Sequence, residues 1–169
     1  MKEFIKDKEM NYPDTKMFNY IMSELNARNV TLEGMAKVVL EGQKRFLPNL
    51  TLKEAMDSLE DTLHKREIMN NMSIGLVMDD MATKGNLPEP LQSIVENDLG
   101  VFGTDETLAL GISLFGGSIA TTNYGSLDVH KKGIINDIDK DTSRVNTFLD
   151  DLVGALIAVV EGKLAHQYA

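Results

Sequence analysis

The sequence predicts an all-α, single-domain helical bundle built round a buried C-terminal helix. Apolar residues recur at helical spacing, as in Met17, Phe18, Ile21, Met22 and Leu25. Helix start and stop signals punctuate the chain, whereas period-2 alternation and Asn-Gly hairpins are scarce. Residues 146–166 are apolar nearly all round, the pattern of a helix enclosed on every side.

The elements follow in order. Pro13-Asp14 opens a first helix. Thr31 opens a second, with Leu32, Met35, Val38 and Val39, and Phe46-Leu47-Pro48-Asn49 breaks it. Thr51-Leu52-Lys53-Glu54 is a capping box, in which hydroxyl and carboxylate each satisfy a free amide. Apolar positions continue from Ala55 to Met81, as one long helix or two consecutive ones ending at Gly85. Pro88-Glu89-Pro90 starts a short helix with Gly100 as its stop. Thr104 caps a helix from Asp105 to about Ala120. Residues 121–145 read as turn and short helix, and the last helix runs from about Asn146 to His166.

A chain of 169 residues is about one domain, read here as residues 1–169. Its 17 Lys+Arg against 26 Asp+Glu give a net charge of −9. That balance argues against non-specific nucleic-acid binding and against electrostatic docking on an anionic membrane. There is no cysteine, which removes disulfides, thiolate metal sites and thiol nucleophiles and fits a cytoplasmic, reducing setting. With three histidines, any metal site must be mainly oxygen-ligated and suits a hard cation. The N-terminus has scattered charges and no leader-like apolar core. Thr107 to Leu127 carries no charge, but about half of it is polar or glycine, so it reads as a buried segment rather than a membrane span.

The chemistry lies in acidic pairs at the heads of two apolar helices. Asp105-Glu106 begins one, and Asp150-Asp151 begins the other. Small residues follow each pair at helical spacing: Ala109, Ser113 and Gly117 after the first, Gly154, Ala155, Ala158 and Gly162 after the second. If these tracks face each other, four carboxylates converge. They then repel by roughly 1–4 kcal/mol per close pair. Such a cluster persists by raising its pKa values or by binding a cation. Each pair alone also suits a helix dipole. Asp79-Asp80, near the end of its helix, reads as a solvated face, and His130 as a partly exposed side chain. Asp128 and Lys131 sit three apart, and Arg66 is a further candidate for phosphate charge.

Asp137-x-Asp139-x-Asp141 opens like a calcium loop, but Thr142 and Phe148 occupy the positions that need Gly and Glu. No phosphate-binding glycine loop, nucleophile elbow or His-Glu-x-x-His motif is present.

Three blocks, within about residues 100–165, resemble the phosphatidylglycerophosphatase A family, specifically its soluble Gram-positive branch. They are Thr104-Asp105-Glu106, then Tyr124-x-x-x-Asp128-x-x-Lys131 with Asp139 after it, and Phe148-Leu149-Asp150-Asp151-Leu152-Val153-Gly154-Ala155. Membrane-spanning members carry Arg after the central aromatic and Pro after the lysine, where this chain has Gly125, Lys132 and Gly133. The resemblance implies a Mg²⁺-dependent hydrolase that converts phosphatidylglycerol phosphate to phosphatidylglycerol and phosphate. Asp105, Glu106, Asp150 and Asp151 would hold one or two Mg²⁺. Asp128 would orient or deprotonate the attacking water or ligate metal itself, and Lys131 would stabilise the phosphoryl group. Two other readings stay open: a phosphatase of a soluble phosphomonoester, and a non-catalytic helical module with a partner-binding role. The expected partners are a phospholipid or small phosphomonoester and no nucleic acid. Peripheral contact with a membrane and self-association into a homo-oligomer complete the expectations.

Overall fold

A computed structural model describes residues 10–168; the leader-free reading of the N-terminus falls mostly on residues 1–9, outside them. Helix α1 (Asp14–Ala27) follows Pro13, and α2 (Leu32–Gln43) starts where the Thr31 hydroxyl accepts the Gly34 amide. The capping box before α3 (Leu52–Leu63) is formed in both directions. Helix α4 (Arg66–Thr83) is separate from α3, so the long apolar run resolves into two helices. Helix α5 (Leu91–Glu96) begins at Pro90 as predicted and ends short of Gly100.

The next region departs from the sequence reading. Helix α6 (Thr104–Ser113) is preceded by Gly103 at φ +64, and Thr104 supplies no side-chain cap. That left-handed conformation is open to glycine at little cost, so the backbone rather than a hydroxyl makes the turn. The helix stops at Ser113, passes through a tight turn at Leu114–Gly116, and restarts as α7 (Gly117–His130). Residues 131–145 hold only a short helix, whereas 121–130, the first part of the stretch read as turn and short helix, therefore belong to a 14-residue helix. Its Thr, Asn, Gly and Ser residues have poor intrinsic propensity, and packing against the last helix overrides it. Helix α8 (Ile134–Asp139) follows, and α9 (Leu149–Gln167) closes the fold.

Every residue of α9 from Leu149 to Gly162 is buried. Helices α2, α3, α4, α6, α7 and α8 all pack on it, which is why it is apolar around its whole circumference. At Gly162 the approach is backbone to backbone: an added Cβ would lie 2.7 Å from the Gly116 carbonyl oxygen. Gly154 instead faces Tyr124, Leu127 and Ile135, so the glycines of the α9 track are met by α7, its preceding turn and α8 rather than by α6. The uncharged stretch buries Ala109, Ile112, Ala120 and Leu127 but leaves Leu110, Leu114 and Phe115 exposed, so only one side of it is core. The described residues are 72% helical with no strand. None of their helices is long and apolar enough to cross a membrane.

Candidate functional site

The site is assembled at the N-terminal end of α9. Phe148, just before that helix, meets Phe102, just before α6, edge to face with ring centroids 5.8 Å apart. This aromatic contact ties the two acidic helix starts together. Asp105 and Glu106 project from the first turn of α6, and Asp150 and Asp151 from the first turn of α9. One carboxylate oxygen each from Asp105, Glu106 and Asp151 lie within 4.8 Å of one another. Asp150 turns to the side. Its Oδ2 accepts the Lys131 ammonium at 2.5 Å, and the same Nζ lies 3.3 Å from Asp128 and 3.5 Å from Asp151.

Lys131 sits at the end of α7 with φ +37, a left-handed conformation that is costly for a side-chain-bearing residue. Its amide donates to the Leu127 carbonyl, so the strained turn closes α7 and aims the side chain back at α9. Tyr124, two turns earlier, is 5% exposed and its hydroxyl has no partner.

The electrostatics are lopsided. Burial, then the neighbouring Glu106 carboxylate, raises the Asp105 pKa. Burial and Asp150 raise that of Asp151, against the opposing pull of Lys131. Burial also raises Asp150, although Lys131 works against it. For Lys131, burial disfavours the ammonium, but Asp150, Asp151 and Asp128 outweigh it and its pKa is raised. One fixed cation thus serves three carboxylates, and among the described residues the other two have none within ion-pair distance. Asp105 Oδ1, Glu106 Oε2 and Asp151 Oδ1 are buried without a hydrogen-bond partner. Converging, desolvated oxygens without hydrogen bonds, one of them only in ion-pair range of Lys131, are the donor set a hard divalent ion takes, so these residues form a buried acidic cluster that can hold one.

Beside Asp150 opens a cavity of about 440 Å³, lined by Asp98, Asp139, Arg144, Asn146 and Thr147 among others. Of this group the sequence marks Asp139, in the motif block and in the calcium-loop-like run, and Asn146 as a helix start.

Among the candidates, Asp105, Glu106, Asp128, Lys131, Asp150 and Asp151 are brought together. Arg66 is not. It starts α4, makes a two-pronged pair with Asp14 at 2.8 and 2.9 Å, and lies over the Tyr12 ring. The other end of α4, roughly 20 Å away at 1.5 Å per residue, is the end that meets α9. His130 is exposed, as expected, with Nδ1 2.7 Å from the Ser126 carbonyl oxygen.

Asp79 corrects the sequence reading outright. It is fully buried, and the backbone N–H groups of Phe148 and Leu149 donate to its two oxygens at 3.1 and 3.0 Å. Asp80, its neighbour, is the residue that keeps a surface pairing, with Lys84. Nothing near Asp79 in sequence signals this, because its partners lie about seventy positions on. Tyr124 was legible only as the aromatic of a motif block; its unpartnered hydroxyl emerges from the packing of α7 on α9.

Comparisons with known proteins give the family and the fold. The sequence pattern of phosphatidylglycerophosphatase A matches residues 31–166. An uncharacterized Bacillus subtilis protein, YpjQ, is 40% identical over 157 residues, covering 93% of this chain and 89% of its own length. A second, YutG, is 39% identical over 146 residues, 86% of this chain and 88% of that one. The crystal structure of YpjQ superposes with a TM-score of 0.88 over 92% of this chain and 97% of that one. The low temperature requirement C protein from Listeria monocytogenes, 41% identical, superposes with a TM-score of 0.86 over 90% and 96%. The chain therefore belongs to the phosphatidylglycerophosphatase A family.

Proposed function

We propose that the protein is a Mg²⁺-dependent phosphatase that removes the terminal phosphate of phosphatidylglycerol phosphate. The observation that carries this reading is the convergence of Asp105, Glu106 and Asp151, with buried oxygens that lack hydrogen bonds, beside Lys131, the one cation at the cluster among the described residues. Asp105, Glu106 and Asp151 would hold the ion, with Asp150 anchoring Lys131. A bound hard cation supplies charge neutralisation on the phosphoryl oxygens and activation of the nucleophile.

The chain's own residues do the rest. Lys131, clamped by Asp150, presents its remaining ammonium protons to a phosphoryl oxygen, a preorganised charge where negative charge develops. Asp128, 3.3 Å from that ammonium and about one-third exposed at its side chain, is placed to orient a water and accept its proton. The Tyr124 hydroxyl, without an acceptor among the described residues, can donate to a phosphoryl oxygen. The cavity lined by Arg144, Asn146 and Thr147 gives room for the hydroxyl-bearing leaving group. A substrate of this kind would bring the protein to a membrane surface. The cytoplasmic face and self-association are expectations of the same reading.

Phosphate release from phosphatidylglycerol phosphate in mixed micelles, and from soluble phosphomonoesters, with and without Mg²⁺, tests it. The expected result is Mg²⁺-dependent release that favours the lipid. Asp151→Asn should lower it at least a hundredfold with helical content intact. Preference for a soluble monoester would move the substrate class, and unchanged turnover in Asp151→Asn would remove the site.

A further inference from the structure

A buried helix start needs partners for its free N–H groups, and α9 has none of its own, because Phe148 at its N-cap offers no side-chain acceptor. The partner comes from α4. Gly75 and Asp79 are four apart and share one face of that helix. At Gly75 an added Cβ would lie 3.1 Å from Phe148 Cβ and would strike Leu152, so the absent side chain is what lets α4 approach. One turn on, Asp79 places one oxygen on the Phe148 amide and the other on the Leu149 amide. Asp150 and Asp151 follow immediately in the chain. Successive helical residues point about 100° apart. The rotation of this first turn therefore decides that Asp150 meets Lys131 while Asp151 meets Asp105 and Glu106.

We propose that Asp79 is a positioning residue for the two α9 aspartates: on the reading of Asp105, Glu106 and Asp151 as ion ligands, it sets their affinity for the ion by fixing the axial rotation of the helix start. It touches neither ion nor substrate. Asp79 stands at the free N–H end of α9, and its two oxygens are the acceptors that hold the turn. A single acceptor leaves one amide unpaired and the turn free to rotate.

Mn²⁺ affinity of the folded protein, measured by calorimetry well below the melting temperature, tests this. Asp79→Asn keeps one acceptor and sets an NH₂ against the other amide. It is expected to weaken Mn²⁺ binding about tenfold, as loss of an outer partner of a metal ligand typically does. Asp79→Ala should weaken it further. Thr62→Ala is the comparison for stability alone: it deletes a buried hydroxyl that donates to the Ser58 carbonyl within α3, away from the α9 start. Its Mn²⁺ affinity should match the wild type. Steady-state kinetics should show the Asp79→Asn loss in kcat at saturating Mg²⁺ more than in KM for the phosphate ester. Equal Mn²⁺ affinity in wild type and Asp79→Asn overturns the positioning role and leaves the ion site standing. An equal loss in Thr62→Ala also overturns it, because affinity then follows stability alone. No Mn²⁺ binding by the wild type overturns both.

Discussion

Helix α9 buries carboxylates at both ends, and the two ends behave differently. Near its C-terminal end Glu161 is 3% exposed, accepts the Asn123 amide at 2.7 Å, and belongs to no acidic cluster among the described residues. Burial pushes its pKa up to about 7, with the Asn123 hydrogen bond pulling the other way. At the N-terminal end Asp151 faces Asp150, Asp128, Asp105 and Glu106, and keeps an oxygen without a hydrogen bond among the described residues. One end is a satisfied polar contact in a core. The other is an excess of negative charge that the protein's own groups do not neutralise. A buried acid is thus no sign of a site; several converging with too few partners are.

The largest effect should come from the single cation at the crowded end. Lys131→Met should lower phosphate release at least a hundredfold, since it removes a preorganised charge in a desolvated setting. The phosphate-release assay checks it. Full activity would show that Lys131 balances Asp150 and does nothing further.

The quiet end should respond in stability alone. Below about pH 4.5 the Glu161 carboxyl is protonated in both the folded and unfolded chain. Between there and about 7 only the folded chain keeps the proton, so rising pH costs stability until the folded group ionises. The loss is on the order of 3 kcal/mol. Glu161→Gln should flatten this part of the pH–stability curve relative to wild type while leaving phosphate release unchanged. Denaturant melts at pH 5 and pH 8 check it; parallel curves would mean Glu161 is ionised in the fold throughout.

Gly162→Ala sharpens the same contrast through packing. Its Cβ would press on the Gly116 carbonyl, a backbone atom with little room to yield. Destabilisation of about 1–3 kcal/mol is expected with ion affinity at the far end of α9 kept. Smallest of all is Arg66→Ala: an exposed pair with Asp14, apart from the cluster, should leave turnover unchanged.

The sequence made legible whatever depended on local chemistry. The capping box at Thr51 and Glu54, the hydroxyl cap at Thr31 and the Pro90 start all rest on contacts three or four residues apart. The enclosure of α9 was readable because Leu149, Leu152, Val153, Leu156 and Val160 leave it no polar stripe. The acidic pairs were readable as candidates, and their meeting was a conditional expectation that the Phe102–Phe148 contact makes concrete. What stayed hidden depended on partners distant in sequence. Asp79 looks like any acid near a helix end until α9 sets two amides on it. Residues 121–130 of α7 look like turn and short helix until their poor helix formers pack on α9. The break after Ser113 turns on Gly117, at φ +73, which a pattern of apolar residues does not reveal.

The central claim is that the start of α6 and the start of α9 share an ion. Anomalous difference density from a Mn²⁺-soaked crystal tests it most directly. A peak bounded by the carboxylates of Asp105, Glu106 and Asp151 is predicted, absent from the Asp151→Asn variant. Ordered side chains there with no peak, or a peak confined to the neighbouring cavity between Asp98 and Asp139, would contradict it.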